Sequence, residues 1–261
     1  MRHAPFLATL ALAATGLNCN KINVFSLDQD RQLGAQVNQE ILSNPREYPV
    51  LPERGNEEVY RYIRGITQRI LNSGKVEHRD EFAWEVRIIK DDNTLNAFCT
   101  PGGYIYVYTG LIKYLDSEEQ LAGVMGHEIA HADKRHSTKA MTKQYGFSAL
   151  VAIATGGQGA GAQLGQVAAG LAGLKFGRDA ETEADTYSVI YLCPTGYEAD
   201  GAADFFVKLE QADQGGRPPQ FLSTHPNPGN RVENIQRQAK ERGCSGRETN
   251  ASEYARMKAR I

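Results

Sequence analysis

The sequence has no Cys-x-x-Cys pair, no block of basic residues and, beyond its N-terminus, no hydrophobic run long and pure enough to span a bilayer. Each absence removes a class of protein. Without paired cysteines at that spacing a thiolate zinc site is excluded. Lys and Arg are scattered, and a net charge of −2 with a pI near 6.3 leaves no nucleic-acid surface. Membrane attachment is left only to the chain's end. No βαβ alternation and no repeat period is present, so a doubly wound sheet or a solenoid is not expected. What remains is ordinary globular material. The 261 residues are 41% hydrophobic and 23% charged, enough for a core in one large domain or two small ones.

The N-terminus reads as a targeting segment. Arg2 and His3 precede "FLATLALAATGL", Phe6 to Leu17, which has the length of a signal-peptide apolar region. Cys19 follows, but Gly16 and Asn18 stand where a lipoprotein signal places Leu and a small residue. The expectation is an exported, periplasmic protein with a signal over residues 1–19. A single domain then covers 20–261, with Cys19 as the point where a lipid would tether it to the outer membrane. Export permits disulfides among Cys99, Cys193 and Cys244. Cys193 and Cys244 both adjoin turn residues ("CPTG", "GCSG"), which favours a bridge between them, although spacing does not fix the pairing.

Apolar residues recur at helical spacing over Ser26–Leu42 and Asn56–Leu71. "FAWEVRII", Phe82 to Ile89, is a predicted strand, and Pro101-Gly102-Gly103 is a turn between two further strand-like pieces. Ser117 and Gln120 read as a capping box opening the next helix. The Gly/Ala-rich stretch 156–173 is expected to be a flexible, lid-like segment, the alternative being a closely packed small-residue helix. Helical pattern resumes over Arg178–Leu192 and Glu198–Gln211, Gly215–Asn230 is a loop, and two short helices close the chain. Helices outnumber strands, which gives an α+β, mostly helical domain.

Chemistry concentrates in "MGHEIAHADKRH", Met125 to His136. His127 and His131 are four apart, about 40° around a helix axis, so both imidazoles can reach one ion. Glu128 lies beside them, placed to take a proton from water rather than to bind metal. His136 would lie about 140° away from His131 on a continuing helix and is expected to pack or cap its end. The metzincin continuation is absent, because Lys134 and Ser137 stand where Gly and His are required. A catalytic zinc needs a third protein ligand and an open position. Glu181 and Asp185 in "AETEADTYS" share a helix face; one can bind zinc while the other orients a zinc-bound imidazole. Glu183 points elsewhere. His225, in "STHPNPGNR", could donate to an oxyanion or fill the open zinc position, and Arg231 could orient a substrate carbonyl or pair with an acid.

Four ordered segments carry a resemblance: "NAFCTPGGYIYVYTGLI", "EEQLAGVMGHEIAHADKRHS", "ETEADTYSVIYL" with "GYEADGAADFFVKL", and "STHPNPGNRVENI". The chain resembles the CAAX-prenyl-endopeptidase type of gluzincin metallopeptidase, in particular its small exported bacterial members, over roughly Asn96 to Arg237. The resemblance implies a gluzincin fold whose small sheet lines the cleft with its edge strand. It implies one Zn2+ per chain held by His127, His131 and Glu181, with Glu128 as general base and Asp185 behind the ligands. Asn96, Ala97 and Phe98 would form the strand along which an extended polypeptide lies, and His225 would be linked to the active site. Such members act on unfolded or misassembled envelope proteins, with outer-membrane assembly components as partners. The membrane-spanning helices of the prenyl-processing relatives are missing, which argues against prenylated substrates. The competing expectation is a chaperone-like binding factor whose zinc is structural and whose proteolytic activity is latent or absent.

Overall fold

The computed structural model describes residues 23, 25–143, 166, 167, 169–213, 220–226 and 229–261. The signal segment and Cys19 lie outside the described residues, as do 156–165 and 168 of the Gly/Ala-rich stretch. Its described residues 166, 167 and 169–172 are helical, with Val167 and Leu171 buried.

Helix α1 (Leu27–Ser43) opens on Ser26, whose hydroxyl accepts from the Gln29 backbone N–H while the Gln29 side chain accepts from the Ser26 N–H. This reciprocal cap fixes the start, and Leu33, Val37 and Ile41 are buried on one face. Helix α2 (Glu57–Leu71) buries Val59, Ile63, Ile66 and Ile70 in the same way. Strand β1 (Glu85–Ile89) starts three residues later than the apolar run suggests. Trp84 stands in the left-handed region at φ 48° and donates its indole N–H to the carbonyls of His78 and Arg79, which ends the extended backbone there.

β2 (Ala97–Thr100) and β3 (Tyr104–Tyr108) pair antiparallel, and β1 pairs with β3 in parallel, giving the order β1-β3-β2. β2 is therefore an edge strand. The hairpin turns through Gly102 and Gly103 at φ 76° and 86°, positions that favour glycine. Short helix α3 (Thr109–Tyr114) leads into α4 (Glu118–Asp133), every residue of which is buried. The capping box expected at its start does not form. The Ser117 hydroxyl turns to Glu119 Oε1 and the Gln120 side chain reaches back to the Asp116 N–H, one residue too early.

α4 lies at the centre because α5 (Arg178–Leu192), α6 (Gly201–Asp213), α2 and β2 all pack on it. Two glycines allow that approach. A Cβ on Gly123 would stand 2.4 Å from the Ala202 backbone nitrogen, and one on Gly126 would stand 2.8 Å from the Ser188 hydroxyl. A helix buried on all faces belongs to the core, and its polar side chains then need partners or a purpose. Glu118 has them: it accepts from Tyr62, Tyr197 and Asn250. The chain continues through α7 (Gln220–Thr224), α8 (Arg231–Glu241) and α9 (Ala251–Lys258). Cys193, at the end of α5, is bonded to Cys244, just after α8. The bridge closes a loop with a sequence separation of 51, a constraint on the unfolded chain of about 4 kcal/mol in the chain-entropy view.

Candidate metal centre

One turn of α4 separates His127 from His131, and their Nε2 atoms face each other at 2.9 Å. α5 crosses α4 and presents Glu181 to both: its carboxylate lies 3.5 Å from His127 Nε2 and 3.4 Å from His131 Nε2. His225, just past α7, brings Nδ1 to 3.3 Å from His127 Nε2 and 3.2 Å from Glu181 Oε1. One ligand atom from each of these four residues falls within 4.8 Å of the others, and all four side chains are buried. Three nitrogens and a carboxylate at that separation are the donor types and spread that zinc takes.

Charged side chains surround the four donors. Glu128, Glu181 and Asp185 are buried carboxylates, and the guanidinium among them is that of Arg231, itself buried. Arg231 donates from Nε to Asp185 Oδ2 at 2.7 Å and from Nη2 to Glu181 Oε2 at 2.5 Å, and it stacks on Phe206. Burial works against the charge on Glu181, but His225, His127 and His131 hold its carboxyl well below the usual range. Burial also opposes a charged His127, yet Asp185, with Oδ1 2.9 Å from His127 Nδ1, and Glu181 outweigh it and carry the ring to about 9. Burial and the neighbouring His127 push His131 well below its ordinary value.

Glu128 is fully buried, and neither carboxylate oxygen has an aligned donor. The nearest basic atom, His225 Nε2, is 3.4 Å from Oε1. A buried acid left without a partner needs an explanation; desolvation raises its pKa, as suits a group that takes up a proton. Cys99 is free and buried beside this carboxylate. Burial first, and the Glu128 charge second, push its thiol well above the ordinary value, the opposite of a redox-reactive cysteine.

Aromatic rings wall the cluster. Phe176 stacks on His131 with centroids 4.0 Å apart, and Phe221 stacks on His225 at 4.3 Å. With Phe206 they come from three separate segments, so no sequence period announces them. The segment before β2 is tied to α7. The Phe221 N–H donates to the Leu95 carbonyl, and Asn96, Ala97 and Phe98 are all buried.

His136 departs from expectation. The helix does not continue to it: Arg135 takes φ 58°, and residues 136–143 start a new helical run. The break turns His136 back, so that its Nδ1 lies 2.8 Å from His131 Nδ1 and its Nε2 3.0 Å from Glu183 Oε2. Glu183 does face away from the four-residue cluster, as its helical position implies. A second grouping, Glu77, His78 and Asp133, has metal-like spacing, but Lys134 Nζ already lies 3.1 Å from both acids.

Comparison with known proteins agrees with this geometry. The chain is 28% identical over 222 residues to the mitochondrial metalloendopeptidase OMA1 of Schizosaccharomyces pombe, covering 84% of this chain and 64% of the relative. It is 27% identical over 250 residues to the beta-barrel assembly-enhancing protease of Escherichia coli K12, covering 91% and 49%. It is 34% identical over 146 residues to the metalloprotease YcaL of the same organism, covering 54% and 57%. The chain thus spans about half to two thirds of the length of these curated relatives. The family model of peptidase family M48 matches residues 57–239, the span from α2 through the cluster to α8, and the chain belongs to that family.

Proposed function

We propose that this chain is a zinc-dependent endopeptidase acting on unfolded or misassembled envelope proteins, and that His225 holds it shut in the conformation described. The observation that carries the reading is the orphaned carboxylate of Glu128 beside the cluster of His127, His131 and Glu181. Those three residues would hold zinc. When bound, zinc supplies Lewis acidity that polarises a peptide carbonyl and acidifies water.

The protein's own groups do the rest. Asp185 faces His127 Nδ1 and keeps that ring's Nε2 toward the cluster. Arg231, at the start of α8, bonds both Glu181 and Asp185 on α5 and so ties the two helices together. Glu128 takes a proton from water and returns it to the leaving amine. His225 fills the fourth side of the cluster, and the segment carrying it bonds Leu95, just before β2. Opening would free a coordination position and the start of β2 together. An exposed β2 edge would bind extended polypeptide through main-chain pairing, which is tolerant of sequence. Envelope substrates follow the name of the beta-barrel assembly-enhancing relative. Export, and a tether through Cys19, remain part of this proposal. Among the described residues no helix is long and apolar enough to cross a membrane, and the prenyl-processing subtype is not assigned.

The same position of His225 favours a second reading, a chaperone-like binding factor whose zinc is closed by four protein ligands. His225→Ala separates them. As a latched protease, the zinc-loaded variant cleaves unfolded casein faster than wild type; as a binding factor, it loses zinc and gains no cleavage.

A further inference from the structure

The two histidines of the helix are supported differently. His127 has a buried carboxylate, Asp185, against its outer nitrogen. His131 has a second histidine there. The Nδ1 atoms of His131 and His136 lie 2.8 Å apart, both rings are buried, and His136 Nε2 meets the half-exposed carboxylate of Glu183.

Two imidazole nitrogens at that distance share one proton. Two bare nitrogens would repel, and two N–H groups would clash. His131 Nε2 faces His127 Nε2 and Glu181, where a metal ligand must be bare. Its proton is therefore on Nδ1, which donates to His136 Nδ1. That leaves the His136 proton on Nε2, where Glu183 Oε2 accepts it. Each tautomer follows from the next, and the chain ends on an acceptor in contact with solvent. The geometry is made by the left-handed Arg135, without which His136 would face away.

We propose that His136 and Glu183 form a positioning relay that locks His131 in the Nδ1–H tautomer and thereby sets how tightly the site retains zinc. The inference rests on the zinc assignment of the proposed function, and not on proteolysis. His136 and Glu183 touch no substrate; they act through His131.

The test is zinc affinity, from competition with a chromophoric chelator, together with the rate of zinc release. His136→Leu fills the space and leaves His131 Nδ1–H without an acceptor, so affinity falls by about 10- to 100-fold, the usual effect of removing a ligand's outer partner. His136→Asn puts an amide oxygen where Nδ1 stood and restores affinity to within about threefold of wild type. Glu183→Gln still accepts from His136 and stays near wild type. Equal affinity of His136→Leu and wild type, or an Asn variant as weak as Leu, overturns the relay. Should the Leu variant not fold, long-range 1H–15N spectra of the zinc-loaded wild type decide. The relay requires His136 protonated at Nε2 and bare at Nδ1, and the opposite tautomer overturns it. Wild-type protein that binds no zinc refutes the proposed function instead.

Discussion

Arg231 is the sharpest single test of the charge balance at the centre. Its side chain is inaccessible to solvent and bonds both Glu181 and Asp185, with a further contact from Nη1 to the His225 carbonyl at 3.4 Å. Arg231→Met keeps much of the stem against Phe206 and removes the charge. Breaking a buried ion pair from one side costs about 3–5 kcal/mol, because the remaining charge is left uncompensated. Here two acids lose their partner, so the metal-free protein should sit toward the upper end of that range. For a chain of this size each kcal/mol moves Tm by about 2–4 °C, which places the loss at about 6–20 °C. Zinc replaces part of the missing positive charge beside Glu181, so the variant gains more Tm from zinc than wild type does. Arg231→Lys, a point charge that cannot fork to two carboxylates, should fall between. Differential scanning calorimetry of metal-free and zinc-loaded protein reads all of this. A metal-free loss under about 1 kcal/mol, or a loss unchanged by zinc, would refute the reasoning.

Other outcomes follow from particular contacts. Glu181→Gln should lose zinc on gel filtration while Glu183→Gln retains it; equal metal content in the two rejects the assignment of Glu181 as ligand. Gly123→Ala would ordinarily favour a helix by about 1 kcal/mol, but its Cβ meets the Ala202 backbone at 2.4 Å. The variant should therefore be destabilised by about 1–3 kcal/mol through overpacking, read from its urea midpoint.

The parts of this site that could be read from the sequence are those set by helical period. His127 with His131, and Glu181 with Asp185, each need only the 3.6-residue repeat to meet on one face. The hairpin around Pro101-Gly102-Gly103 was equally legible, because positive φ and proline leave few alternatives. His136 was not, since a single left-handed residue, Arg135, breaks the period and reverses the direction of the side chain. The capping box at Ser117 failed for a related reason. Buried Glu119 competes for the hydroxyl, and the motif alone does not register that neighbour. His225 and Arg231 are ambiguous in the sequence because their acidic partners lie 44 or more residues away and are chosen by packing. The aromatic wall of Phe176, Phe206 and Phe221 exists only once α5, α6 and α7 have assembled.

In the proposed function Glu128 drives peptide hydrolysis at a zinc that His225 keeps closed. Cleavage of unfolded casein by zinc-loaded His225→Ala protein, with and without Glu128→Gln, tests it most directly. His225→Ala should cleave faster than wild type, and the double variant should not cleave although its zinc content is unchanged. Equal cleavage by the single and double variants, both fully loaded with zinc, would contradict it.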